Sequence, residues 1–188
     1  MINNNDVRNL YVFLMQKVDL KELMHDCTEK GDTRISHFTG NYLDALLGEA
    51  YKKRIASRVS LPAVDGPYSF RRDKTGSVHV REDNKQFTTF DRLVKANEVP
   101  VLVEMRTTSA TAMVKKYFEK SPNKTMALSR LYSDDFGWIL MLPLEFSHRE
   151  PQCLDTFKQG GGMTAILPYT SKEMQAAIYQ QERQKSQH

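Results

Sequence analysis

Phe90-Asp91-Arg92-Leu93-Val94-Lys95-Ala96-Asn97-Glu98-Val99-Pro100-Val101-Leu102-Val103-Glu104 is the stretch on which the fold turns. Two apolar runs flank the polar pair Asn97-Glu98, a pattern that predicts two antiparallel strands joined by a two-residue turn. In that register Asp91 lies opposite Glu104, with Cβ atoms about 5 Å apart on one face. Like charges so placed destabilise a sheet unless a cation sits between them, and hard carboxylate oxygens suit Mg²⁺ or Mn²⁺. A metal held there would polarise a phosphate oxygen and generate hydroxide near neutral pH, which is what metal-assisted phosphodiester hydrolysis requires. The competing reading is plain: one Asp and one Glu on strands are ordinarily solvated side chains.

Outward from this hairpin, Leu102, Glu104 and Arg106 alternate onto one face of the second strand, and Thr107, Thr108 and Ser109 offer N-cap chemistry for a helix over about 110–120. Upstream, short strands are expected at 68–73, 77–82 and 87–95, divided by Lys74-Thr75-Gly76 and Asp83-Asn84-Lys85, residue types that suit turns. Apolar residues at helical spacing predict one or two helices over 6–27 and another over 41–58. Downstream, strands are expected at 125–132, 138–144 and 163–168, with a helix over 151–158. Gly160-Gly161-Gly162 reads as a loop, since no GxGxxG or GK[ST] pattern follows. Residues 171–188 turn polar and basic and are expected to form a helix or tether beyond a domain over 1–170.

Composition narrows the class. With 188 residues, 40% hydrophobic and 27% charged, the chain falls in the ordinary globular range. A net charge of +4 favours a polyanionic partner. Cys27 and Cys153 lie far apart without zinc-ligand spacing, so reduced thiols are expected. No apolar run reaches the 18 or so residues of a membrane span.

An Asp, a hairpin and then Glu-x-Lys on an apolar strand is the pattern of the restriction-enzyme-like, or PD-(D/E)XK, nucleases. Here the third position is Arg106, which stays protonated and cannot exchange a proton with water but can bind phosphate. A lysine must then come from elsewhere. On the next helix, Met113, Val114, Tyr117 and Phe118 form an apolar stripe that leaves Lys115 and Lys116 on opposite flanks, and periodicity does not choose between them. Paired lysines on a helix are usually a solvated face.

The run from Glu104 to Lys124, with Lys115-Lys116 in its helix, resembles the N-terminal cap-snatching endonuclease of arenavirus large (L) polymerase proteins, among them the reptile-infecting group. The resemblance is tight over 91–124 and loose over the rest of 35–145. It implies an α+β fold, a small mixed twisted sheet flanked by helices with an N-terminal helical part. It also implies a third acid, Glu49 in Leu46-Leu47-Gly48-Glu49-Ala50, joining Asp91 and Glu104 around one or two Mn²⁺ or Mg²⁺ ions. From periodicity alone Glu49 faces the polar side of its helix, where an i,i+4 pair with Lys53 would account for it. The catalytic lysine would be Lys116 or Lys115. Lys120 departs from the family, which carries an acid one turn beyond its lysine.

Implied with this are a single-stranded RNA substrate, host capped mRNA cut into primers for viral transcription, and partners in the rest of the viral RNA-dependent RNA polymerase and the nucleoprotein–RNA complex. The setting would be the host-cell cytoplasm and the virion, with no membrane. Arg106, Arg92, Lys95 and Lys120 could contact RNA phosphates, and Tyr117, Phe90 or Tyr132 could stack on bases. His37 and His79 occupy no convincing ligand position. Arg106 and Lys120 keep a second class open, a catalytically impaired nuclease-fold module that binds RNA or docks on a polymerase. A DNA-cutting enzyme of the same superfamily is a third.

Overall fold

The structure, a computed structural model, describes residues 1–2, 4–16 and 35–176. The expected helical continuation toward residue 27, Cys27 and the tail from 177 onward lie outside the described residues; residues 171–176 are helical.

Helix α1 (Asn5–Gln16) buries Val7, Leu10, Phe13 and Leu14, a stripe at the 3.6-residue period. Helix α2 (Ile35–Lys52) begins and ends earlier than the expected 41–58. Arg54, in the left-handed region at φ 58°, breaks its continuation, and Ser57–Arg58 forms a short strand, β1.

Four strands follow as an antiparallel meander: β2 (Val64–Asp65), β3 (Tyr68–Arg72), β4 (Val78–Glu82) and β5 (Lys85–Phe90). The β4–β5 turn is Asp83-Asn84, both left-handed, which these residue types tolerate. The expected strand 87–95 is two strands. It breaks at Asp91, where the chain leaves this sheet and enters a second one as β6 (Arg92–Ala96).

β6 and β7 (Val99–Met105) form the expected hairpin, with Arg92 opposite Val103 and Ala96 opposite Val99 across Asn97-Glu98. Asn97 supplies the left-handed turn residue at φ 53°. β7 then pairs in parallel with β8 (Gly137–Leu142), and β8 with β9 (Met163–Ile166), giving a five-stranded mixed sheet ordered β1-β6-β7-β8-β9.

Parallel strands need crossovers. The first is α3 (Thr111–Glu119) and α4 (Ser121–Tyr132); the second is a 3₁₀ turn (Leu144–Ser147) and α5 (Gln152–Gln159). The strand expected at 125–132 is therefore a helix. Pro122 sits in its first turn, and Lys124, Ala127 and Leu128 are buried at i, i+3 and i+4. At the start of α3 the N-cap is Ala110 without a side-chain cap, while Thr108 Oγ1 accepts a bond from the Ala110 amide at 3.2 Å.

Alternation along β7 divides the core. Val101, Val103 and Met105 pack toward α1 and α2 with Ile139, Met141 and Ala165. Leu102 faces the other way, into the layer of Trp138, Leu140, Val114, Leu128 and Phe157 contributed by β8, α3, α4 and α5, joined by Val78, Val80 and Phe90 of the meander. Glu104 shares the Leu102 face by the two-residue period and is fully buried. A carboxylate there is tolerated only if other side chains compensate it.

Candidate active site

Asp91 is the single residue between β5 and β6, and Glu104 is the penultimate residue of β7. The register brings them together, as the hairpin predicts: the Asp91 amide donates to Glu104 Oε1 at 3.4 Å. Asp91 Oδ2 accepts the Met105 amide at 3.1 Å and an Arg106 guanidinium N–H at 3.0 Å. Another Arg106 N–H reaches Glu104 Oε2, also at 3.0 Å. One guanidinium thus bridges both carboxylates and lies over the Tyr117 ring, 4.2 Å from its centroid.

Two more groups complete the shell of Glu104. Lys124 Nζ donates to Oε1 and the Tyr117 hydroxyl to Oε2, each at 2.5 Å. Lys124 also donates to the Thr89 carbonyl. Two carboxylates therefore face two cations, and the cluster is neutral, which is what a buried charged group requires. Burial works against the charge of Arg106, but Glu104 and Asp91 outweigh it and raise its pKa. The Tyr117 phenol is pushed well up by burial and then by the Glu104 charge, so it remains a donor.

Glu49, half-buried on α2, accepts a bond from Lys52 Nζ at 2.6 Å rather than pairing with Lys53. No three His, Cys, Asp or Glu side chains gather to hold an ion among the described residues, so Glu49 does not complete a trio with Asp91 and Glu104. Lys115 and Lys116 are exposed and bond neither carboxylate. The charge of Lys115 opposes the upward push of burial on the thiol of Cys153, on α5. The lysine on the acids is Lys124, one helix further on.

Arg92 corrects its expected role as an RNA contact. It is buried, held by both Asp44 oxygens at 2.8 and 2.9 Å and by the Gly40 carbonyl. Phe90 and Tyr117 are core residues rather than stacking platforms, and Tyr132 is half-buried. Lys95 pairs with Glu98 at 3.2 Å, and Lys120 is exposed between α3 and α4. His79 bonds Asp73 at 2.8 Å, a structural contact within the meander.

A Mg²⁺ or Mn²⁺ ion is often held by one or two carboxylates with water and phosphate oxygens completing the shell. Asp91, a quarter exposed, fits that role; Glu104, with no exposed surface, fits it only when Arg106 withdraws. Comparison with protein-family models, with curated proteins and with solved structures finds no match.

Proposed function

We propose that this chain is a divalent-metal-dependent endonuclease domain that cuts single-stranded RNA. One observation carries the reading: the carboxylates of Asp91, just before β6, and Glu104, near the end of β7, converge on a single cation position, filled by the Arg106 guanidinium at 3.0 Å from each. A hairpin bearing the acids, a helical crossover and a parallel strand beside the second acid also suit a PD-(D/E)XK-like core. Mn²⁺ or Mg²⁺, when bound, would supply an activated water and charge stabilisation at the scissile phosphate.

The chain's own residues do the rest. Asp91 and Glu104 hold the cation position, and the Asp91 backbone amide and Tyr117 hydroxyl orient Glu104. Lys124 takes the role first assigned to Lys116 or Lys115, keeping positive charge against the acidic strand in a site shielded from water. Arg106, released from the carboxylates, is free to bind the phosphate that displaced it. By the family resemblance the substrate is capped host mRNA and the product a primer for a viral polymerase.

The balanced charge of the cluster favours a second reading, an impaired module that retains RNA without cutting it. Incubation with unstructured RNA and Mn²⁺, with and without chelator, beside Glu104→Ala, separates the two. Cutting abolished by chelator and by the substitution supports the enzyme. RNA retained intact supports the module, and cleavage confined to duplex DNA would refute both.

A further inference from the structure

Beside Arg92, a cavity of about 330 Å³ opens between α2, β1, β3, the β3–β4 turn and the start of β6. Its charged lining is Arg58, Arg72, Lys74 and Arg92 against Asp44 and Asp73. The two acids are already engaged. Asp44 is clamped by Arg92, and Asp73 accepts from the Thr75 amide and hydroxyl, the Ser77 amide and His79. Arg72 spends one N–H on the Val59 carbonyl at 3.0 Å. Arg58 and Lys74 have no acidic partner among the described residues, and both are exposed at the mouth.

Four cationic side chains against two carboxylates leave the lining with a surplus of positive charge. Burial raises the phenol of Tyr51, on the cavity wall; the charges of Arg58, Arg72 and Arg92 act against this and that of Asp44 adds to it. Gly76, at φ 86°, lets the turn lie against the Arg92 guanidinium, where a Cβ would stand 3.0 Å from Cζ. The cavity floor is thereby tied to the site: Arg92, which lines it, donates to the Asp91 carbonyl.

We infer that this cavity is a second phosphate subsite, in which Arg58, Lys74 and Arg72 take a backbone phosphate of the RNA strand next to the one presented at Asp91. The identity of the ligand rests on the RNA-cutting reading; the anionic character of the site does not. Cations at that mouth would fix the strand's path without reading bases.

The test uses the full chain in chelator, so that no cleavage occurs, with a fluorescent unstructured RNA titrated at several KCl concentrations. Arg58→Gln/Lys74→Gln, both on the surface, should weaken binding at low salt and reduce the slope of log K against log salt by about 0.7, the value for one phosphate contact on a single strand. Arg81→Gln/Lys85→Gln, exposed on the far end of the meander, removes equal charge and should change the slope less. Equal slopes for the wild type and the Arg58/Lys74 variant, or for the two variants, would overturn the subsite. A parallel thermal titration with inorganic phosphate separates the sources: stabilisation of the wild type alone, with RNA binding unaffected by the substitutions, reassigns the cavity to free phosphate and refutes the strand assignment. Mn²⁺-dependent cutting with an unchanged slope sinks the subsite alone, a changed slope without cutting sinks the nuclease reading alone, and no RNA binding at all sinks both.

Discussion

Lys124→Met removes a buried ammonium and little else. The lysine side chain is 8% exposed, its Nζ bonds Glu104 and Thr89, and it lies 5.6 and 5.7 Å from the Phe90 and Tyr117 ring centroids. Methionine keeps most of the aliphatic stem, so the loss is chiefly electrostatic. Glu104, fully buried, would retain Arg106 and the Tyr117 hydroxyl, but the cluster would pass from neutral to one net negative charge. Truncating one partner of a buried pair costs about 3–5 kcal/mol. For a domain of this length Tm should fall by about 6–20 °C, at about 2–4 °C per kcal/mol. Adding Glu104→Gln restores neutrality, so the double variant should be more stable than the sum of the two single losses, with a coupling of about 0.5–3 kcal/mol. Urea unfolding followed by circular dichroism measures all four corners of the cycle. A Lys124→Met loss within about 1 kcal/mol of zero, or strict additivity, would refute the assignment of Lys124 as the charge that makes Glu104 tolerable.

Arg106→Gln should lower stability without metal and enlarge the Tm increase that Mn²⁺ produces, because the ion no longer competes with a built-in cation; identical Mn²⁺ shifts in the variant and wild type would show that the guanidinium does not hold the ion's place. Glu145 lies where α5's preceding 3₁₀ turn meets Ser171: burial would raise its carboxyl, but the Ser171 hydroxyl at 2.6 Å and the Ser171 amide hold it below the ordinary value near 4.5. A depressed folded pKa contributes stability above the unfolded value and loses it as pH falls through the folded one. Glu145→Gln should therefore cost about 1 kcal/mol at neutral pH, the difference between a charged and a neutral acceptor, and the gap should close as pH falls below 4.5 in acid unfolding; a gap independent of pH would contradict the bond.

The hairpin was legible because everything that determines it is local: alternation on both sides of Asn97-Glu98, and a residue at 97 that accepts φ 53°. Placing Asp91 opposite Glu104 followed from that register. Lys124 was hidden because Thr125-Met126-Ala127-Leu128-Ser129-Arg130-Leu131-Tyr132 carries residues that serve in either element. Only burial at 124, 127 and 128 reveals the helix, and with it the lysine on the core side. Arg92 was misread for a different reason. Its partner Asp44 lies 48 positions away on α2, and nothing near residue 92 announces it. Arg106 stands one residue past the end of β7, where alternation no longer dictates direction, so its turn back onto the acids required the tertiary structure.

The two-residue connection between β6 and β7 also has a kinetic meaning. Hairpins close in microseconds, whereas a parallel partner must await its crossover. Asp91 and Glu104 therefore meet before α4 can deliver Lys124, and only Arg106, on the same short segment, travels with them. If the hairpin belongs to the folding nucleus, the arginine is a counterion carried within it, and its loss should slow refolding more than it speeds unfolding in stopped-flow traces.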